Sequence, residues 1–302
     1  ITAPLARARP FDLPLPTQRW IAWLLLAAML GGIVSWIRRP GDFAAYLEVG
    51  ELALAGRHVY HDIHAGADYW NAWPPAFSLL CVPLALLARA HVYVARAFWL
   101  LLNLALAWVV LGMAVRLVLG VPLAFLPRRG RAALGSLAVL LPLLVAFRFL
   151  LGNFEHLQVN IVMYALALGG LFLAARGAPL RGGLLLGAAA GLKVMTVVFL
   201  PYLLWRRRWR FAAAATLSFL AVFFLAPLLA YGPARTADYL STWVEGTGRD
   251  FGSAKMNQSV YAMWDRTLGH GITPLNASPV SALSFTRSPA VGRATAATFV
   301  LV

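Results

Sequence analysis

Charge is scarce in this chain. Only 12% of its 302 residues are Asp, Glu, Lys or Arg, while 61% are hydrophobic, and a soluble domain carries about twice that share of charge. A water-soluble globule is excluded on that ground. Cysteine is almost absent: Cys81 stands alone, so no intrachain disulfide forms and a disulfide-stapled secreted scaffold is excluded. Acid is scarce as well, with 11 Asp and Glu against 26 Lys and Arg and a net charge of +15. Such an excess can mark a nucleic-acid partner, but here the basic residues are scattered at the ends of apolar runs, where they read as topology signals, and no nucleic acid is expected. No standard zinc spacing is present. His58, His61 and His64 with Asp62 and Asp68 form RHVYHDIHAGADYW, which reads as polar loop surface, and no metal or other cofactor is expected.

What is abundant is apolar sequence in runs near helix-spanning length. A mean hydropathy of +0.73 places the chain in a bilayer as an all-α, polytopic transmembrane helical bundle, because helices satisfy their own backbone groups in lipid. Spans are expected at about 20–37, 97–119, 132–150, 159–175 and 211–230. The first carries no small-residue cleavage site and follows Arg7, Arg9 and Arg19, so it reads as a retained anchor. The final run ATAATFVLV reads as the start of a further span. Residues 1–19 are expected as a cytoplasmic tail and 20–302 as one transmembrane domain, with outer loops over about 38–96 and 231–288 and helices lying at the outer surface.

Orientation follows from Arg128, Arg129 and Arg131 and from the block Arg206, Arg207, Arg208 and Arg210, which belong in the cytoplasm. Two apolar stretches then fail to cross. Residues 74–90 are short and contain Pro83, so they are expected as a re-entrant or interfacial helix on the outer side. Residues 180–205 are bracketed by arginines at both ends and form a hairpin of two short arms with Lys193 near its outward tip, where an ammonium group needs an anionic partner. Of the 11 acids only Asp12 falls inside. The long acid-bearing outer loops read as a work surface rather than connections.

Several residues there admit two readings. Asp42 stands at the N-cap position of a helix bearing Phe43, Tyr46, Leu47 and Leu54. It either caps that helix, worth about 1 kcal/mol, or takes a proton from an attacking hydroxyl while nearby cations hold a phosphate. Arg38 and Arg39, with Arg148, Lys193, Arg249 and Lys255, face the outer side, where they either meet lipid headgroups or clamp a specific phosphate. Tyr69, Trp70 and Trp73 read as an interfacial belt or a sugar platform. In LGNFEHLQVN, Asn153, Glu155 and His156 mark a helix mouth, and Gln158 and Asn160 enter the span. Asn257, Gln258 and Ser259 open a helix in the second loop.

The order GDFAAYLEVGELALAGRHVY, NAWPPAFSLLCVPLALL, WLLLNLALA, NFEHLQVN, RGGLLLGAAAGLKVMTVVFLPYLLWRRRWR and NQSVYAMW resembles bacterial integral-membrane glycosyltransferases of the GT-C superfamily. Within it, the chain is most similar to polyprenyl-phosphate-mannose-dependent α-mannosyltransferases, such as those building phosphatidylinositol mannosides. The similarity runs from about residue 20 to 270. It implies an enzyme of the bacterial inner membrane, facing outward, that moves a sugar, mannose in that group, from a polyprenyl-phosphate donor to a lipid-linked or glycan hydroxyl with inversion. It further implies that Asp42 is the general base and that Lys193 and Asn257 to Ser259 match family motifs; together with the residue readings above, Arg38, Arg39, Arg148, Lys193 and Lys255 are expected to meet the donor phosphate, and His156, Gln158, Asn160, Tyr69, Trp73, Asn257 and Gln258 to line the substrate site. The family's Gly-Gln-x-Asn pattern is matched here only by Gln158 and Asn160, because Asn153 follows Gly152. The competing class is a transporter or flippase for an anionic or polyprenyl-linked lipid, which uses similar cations and broken helices.

Overall fold

The computed structural model describes residues 12–60 and 71–249. The chain divides into two compact units, residues 1–236 and 237–302, and the first holds Asp42, Gln158, Asn160 and Lys193. Its described part is helical apart from one two-residue pairing. The helices are α1 (Leu15–Arg38), α2 (Gly41–Leu54), α3 (Pro75–Ala90), α4 (Val92–Leu119), α5 (Leu137–Glu155), α6 (Asn160–Ala175), α7 (Pro179–Leu192), α8 (Phe199–Trp205), α9 (Trp209–Leu220), α10 (Ala226–Tyr231) and α11 (Pro233–Arg249), the last running across the division. Strands β1 (Leu123–Ala124) and β2 (Ala132–Ala133) pair in parallel.

Among the described residues, four helical stretches are long and apolar enough to cross a membrane: Leu15–Arg38, Val92–Leu119, Leu137–Glu155 and Trp209–Tyr231. Their outward side chains are large and apolar, with Val145 81%, Phe149 74% and Trp20 69% exposed. On helices of spanning length, a surface of that kind suits lipid rather than water. The protein is an all-α polytopic integral membrane protein.

The observed boundaries correct the expected ones where backbone pairing intervenes. The span expected at 132–150 begins at Leu137, because Ala132 and Ala133 pair with Leu123 and Ala124, and it continues to Glu155. Asn153 and Glu155 therefore belong to the last turn of α5 rather than to a loop beyond it. Helix α6, expected to cross, has 16 residues, or about 24 Å, which falls short of a hydrocarbon core of about 30 Å. Helix α3 has the same length and holds Pro83 in its interior. The expected hairpin is present: α7 ends at Leu192, Lys193 is extended, and a 3₁₀ turn, Val194–Val198, leads into α8.

Two local features set the packing. Helix α7 lies against both α6 and α9, and it approaches them closely because Gly182 and Gly187 have no Cβ to strike the Gly170 and Ala215 carbonyls. The last long helix widens into a π turn over Ala221–Leu225, just ahead of Pro227. A proline clashes with the carbonyl four residues earlier, here Phe223, and the wider turn relieves that clash. Helix α2 buries Phe43, Ala45, Tyr46, Val49, Gly50 and Leu52, which at 3.6 residues per turn share one half of its circumference, and leaves Glu48 and Glu51 on the other half. It is a core element packed on α3.

Candidate functional site

The connection between α5 and α6, residues 156–159, forms the floor of the site. Leu157 is buried and takes φ +51°, a left-handed conformation that costs a side-chain-bearing residue about 1–2 kcal/mol. Surrounding groups hold it there. The Trp99 indole Nε1 donates to the Leu157 carbonyl at 2.8 Å, the Val159 amide donates to the Tyr46 hydroxyl at 3.1 Å, and the Gln158 amide donates to the Asn153 carbonyl at 2.9 Å. Trp99 and Tyr46 are themselves buried and in edge-to-face contact, with ring centroids 6.1 Å apart.

Helix α2 docks on this floor through its first turn. The Asp42 amide donates to the His156 carbonyl at 2.9 Å. Gly41, at φ +50°, makes the approach possible, since a Cβ there would lie 2.5 Å from the His156 oxygen and 2.7 Å from its Cα. The position of Asp42 corrects the capping expectation. The N-cap residue is Pro40, Asp42 is already helical, and no side-chain cap bond is made. The carboxylate turns toward the floor instead.

A continuous line of side chains follows. Gln158 Nε2 donates to Asp42 Oδ2 at 3.0 Å, Asn160 Nδ2 donates to Gln158 Oε1 at 2.7 Å, and Lys193 Nζ donates to Asn160 Oδ1 at 2.5 Å. A carboxylate only accepts and an ammonium only donates, so the two ends fix both amides in one orientation. The line joins four elements: the first turn of α2, the α5–α6 connection, the start of α6 and the break after α7. Lys193 reaches it because the chain is extended there, and its amide still bonds back to Ala189 at 2.9 Å. Burial pushes the Asp42 carboxyl above the usual aspartate range, while the bond from Gln158 and then the charges of His156 and Lys193 pull it down.

The remaining expected residues are placed less uniformly. Arg38 and Arg39 are exposed at the end of α1, where Arg39 pairs with Glu155 and the Arg38 carbonyl accepts from Arg96 Nη1 at 3.4 Å. Arg148 is exposed on α5, about two turns before His156, which is itself exposed. Trp73 is half-buried, stacked on Phe77 at 5.0 Å and edge-on to Tyr46 at 4.9 Å, so much of its ring is committed to packing. Tyr69, Lys255, Asn257 and Gln258 lie outside the described residues, as do His61 and His64. Sequence reasoning missed Trp99 and Tyr46 as supports. The available signal was an indole N–H and a phenol hydroxyl in apolar helices, each of which must find a partner when buried.

The sequence model of glycosyltransferase family 87 matches residues 71–301, well over half the chain; Asp42 lies ahead of the matched segment. The chain is also 28% identical over 278 residues to the polyprenol-phosphate-mannose-dependent alpha-(1-2)-phosphatidylinositol mannoside mannosyltransferase of Mycolicibacterium smegmatis. That match covers 84% of this chain and 56% of the relative, so the chain spans little more than half the relative's length. No solved structure matches it significantly. On the extent of the family match, the chain belongs to glycosyltransferase family 87.

Proposed function

We propose that this protein transfers mannose from a polyprenyl-phosphate donor to a lipid-linked or glycan hydroxyl, with inversion, at the outer face of the bacterial inner membrane, and that Asp42 is the general base. The observation that carries the reading is the line Asp42–Gln158–Asn160–Lys193, which ties an acceptor of protons to a fixed cation through two oriented amides. The family membership and the relative's named donor supply the reaction class.

The acceptor oxygen attacks the anomeric carbon from the face opposite the phosphate. Its proton passes to the Asp42 carboxylate, the carbon–oxygen bond to phosphate breaks, and polyprenyl phosphate leaves with the electron pair. A half-buried carboxyl with a raised pKa is a stronger base than one in water, and positioned bases contribute about 10²- to 10⁴-fold in rate. Lys193 holds the donor's phosphate when it binds and keeps its charge offset as it departs, an effect that partial exclusion of water strengthens. Gln158 and Asn160 hold both ends in place, a role different from direct substrate contact. The exposed Arg38, Arg39 and Arg148, with Lys255 of the second loop, supply a cationic border for the donor's phosphate, and His156, Tyr69, Trp73, Asn257 and Gln258 are the further substrate contacts.

The test uses the full chain in vesicles with a polyprenyl-phosphate mannose labelled in the sugar and a phosphatidylinositol mannoside acceptor. The label should move to the acceptor while polyprenyl phosphate is released. Movement of intact donor between leaflets without cleavage would make the protein a transporter instead.

A further inference from the structure

At the far end of α1 and α5 lies a second concentration of charge that sugar transfer does not use. A cavity of about 350 Å³ is bounded by Asp12, Gln18, Arg128, Arg129, Arg131 and Ser136. Helix α1 begins beside it and runs 24 residues to Arg38, so the cavity and the Asp42 site are separated by about 36 Å along that helix.

The frame of this cavity is fixed by backbone contacts. The parallel pairing of β1 with β2 closes the base of the arginine-bearing loop. The absence of a Cβ at Gly135 lets that segment lie directly against the Gln18 backbone. Gln18 is 4% exposed and donates Nε2 to the Leu13 carbonyl at 2.8 Å, and Ser136 Oγ donates to the Ala133 carbonyl at 2.7 Å. Among the described residues, Asp12 is the one acid on the lining. Its Oδ1 accepts from the amides of Leu13 at 2.9 Å and Leu137 at 3.0 Å, so it satisfies the first turn of α5. Among the described residues no carboxylate pairs with the guanidinium groups of Arg128, Arg129 and Arg131.

Three like charges on one rim repel each other, and the Asp12 carboxylate on the lining is already engaged. An anion with several acceptor oxygens offsets that repulsion and matches the planar donor forks of arginine. The volume lies at the lower end of the roughly 300–1,000 Å³ typical of ligand sites, which suits a headgroup rather than acyl chains. We propose that this cavity binds a phosphate group, carried either by an anionic phospholipid headgroup or by a soluble phosphate compound. The site stands apart from the transfer reaction and does not depend on that reading.

The experiment places the full chain in phosphatidylcholine nanodiscs, adds phosphatidylglycerol as the probe, and reads retained lipid by native mass spectrometry. Wild type should retain phosphatidylglycerol over phosphatidylcholine, and the triple variant Arg128→Gln, Arg129→Gln, Arg131→Gln should weaken retention by at least about tenfold. Arg129→Gln alone should give a smaller loss in the same direction. The control is Arg206→Gln, Arg207→Gln, Arg208→Gln, three exposed arginines outside the cavity lining, which should leave retention unchanged. Circular dichroism establishes that each variant is folded. Displacement of the lipid by millimolar inorganic phosphate identifies a soluble phosphate as the ligand, and resistance identifies the headgroup. Unchanged retention in the cavity variant, or equal loss in both triple variants, would overturn the proposal in favour of diffuse surface charge.

Discussion

At the Asp42 end of α1 a carboxylate and an ammonium are joined through two amides and half-buried, whereas at the Arg128 end three guanidinium groups stand exposed around a cavity with their one acid engaged by backbone. The first arrangement spends its charge internally. Its cost is desolvation, and the cost is tolerated because Asp42 Oδ2, the nitrogen and oxygen of both amides and the Lys193 ammonium each have a partner. The second leaves its charge available. The difference separates a site built to hold two groups in fixed relation from one built to receive an anion.

Breaking the internal arrangement should have the largest effect at its acidic end. Asp42→Asn keeps the shape but loses the base, and turnover should fall about 10²- to 10⁴-fold, measured as initial transfer rate with the fold checked by thermal melting. At the other end, Lys193→Ala should raise the donor KM more than it lowers kcat. The combined loss should be roughly 10- to 100-fold, the scale of one hydrogen bond to a charged group. An unchanged donor KM would make Lys193 a purely structural residue.

Removing the backbone fit beneath the site should act on stability first. Gly41→Ala introduces a Cβ 2.5 Å from the His156 oxygen at φ +50°, and it should cost about 1–3 kcal/mol in a denaturant titration in detergent. The smallest effect belongs to the Arg39–Glu155 pair, whose side chains are 55% and 33% exposed. Glu155→Gln should change stability by less than about 1 kcal/mol, with any loss shrinking in high salt. A larger loss would move that pair from the border into the frame of the site.

Much of the topology was legible because it rests on composition and charge. The proline-broken segment around Pro83 and the lysine-tipped hairpin at Lys193 were both marked by residues that fit poorly in a full span. Gln158 and Asn160 were legible as polar residues at the edge of an apolar run, but only Asn160 enters the helix, and Gln158 belongs to the connection before it. What was not legible depends on contacts between distant residues. The joining of Asp42 to residue 158 bridges two separate helical elements, and nothing local to Asp42 distinguishes a capping carboxylate from one turned toward a partner. The late start of α5 arises from pairing with Leu123 and Ala124, which apolar periodicity does not register. Trp99 and Tyr46 were hidden because a buried aromatic has the same pattern whether it fills space or holds a loop.

The most direct test of the Asp42 assignment is the pH dependence of kcat with donor and acceptor saturating. A base works only when deprotonated, so activity should fall as pH drops through the Asp42 pKa, which burial places above the usual aspartate range. The Lys193 charge and the Gln158 bond both lower that pKa, so the acid limb should move to higher pH in Lys193→Ala and in Gln158→Leu. In Asp42→Asn the limb should vanish from the residual activity. A limb that persists there at the wild-type pH would place the titrating base on another residue and contradict the account.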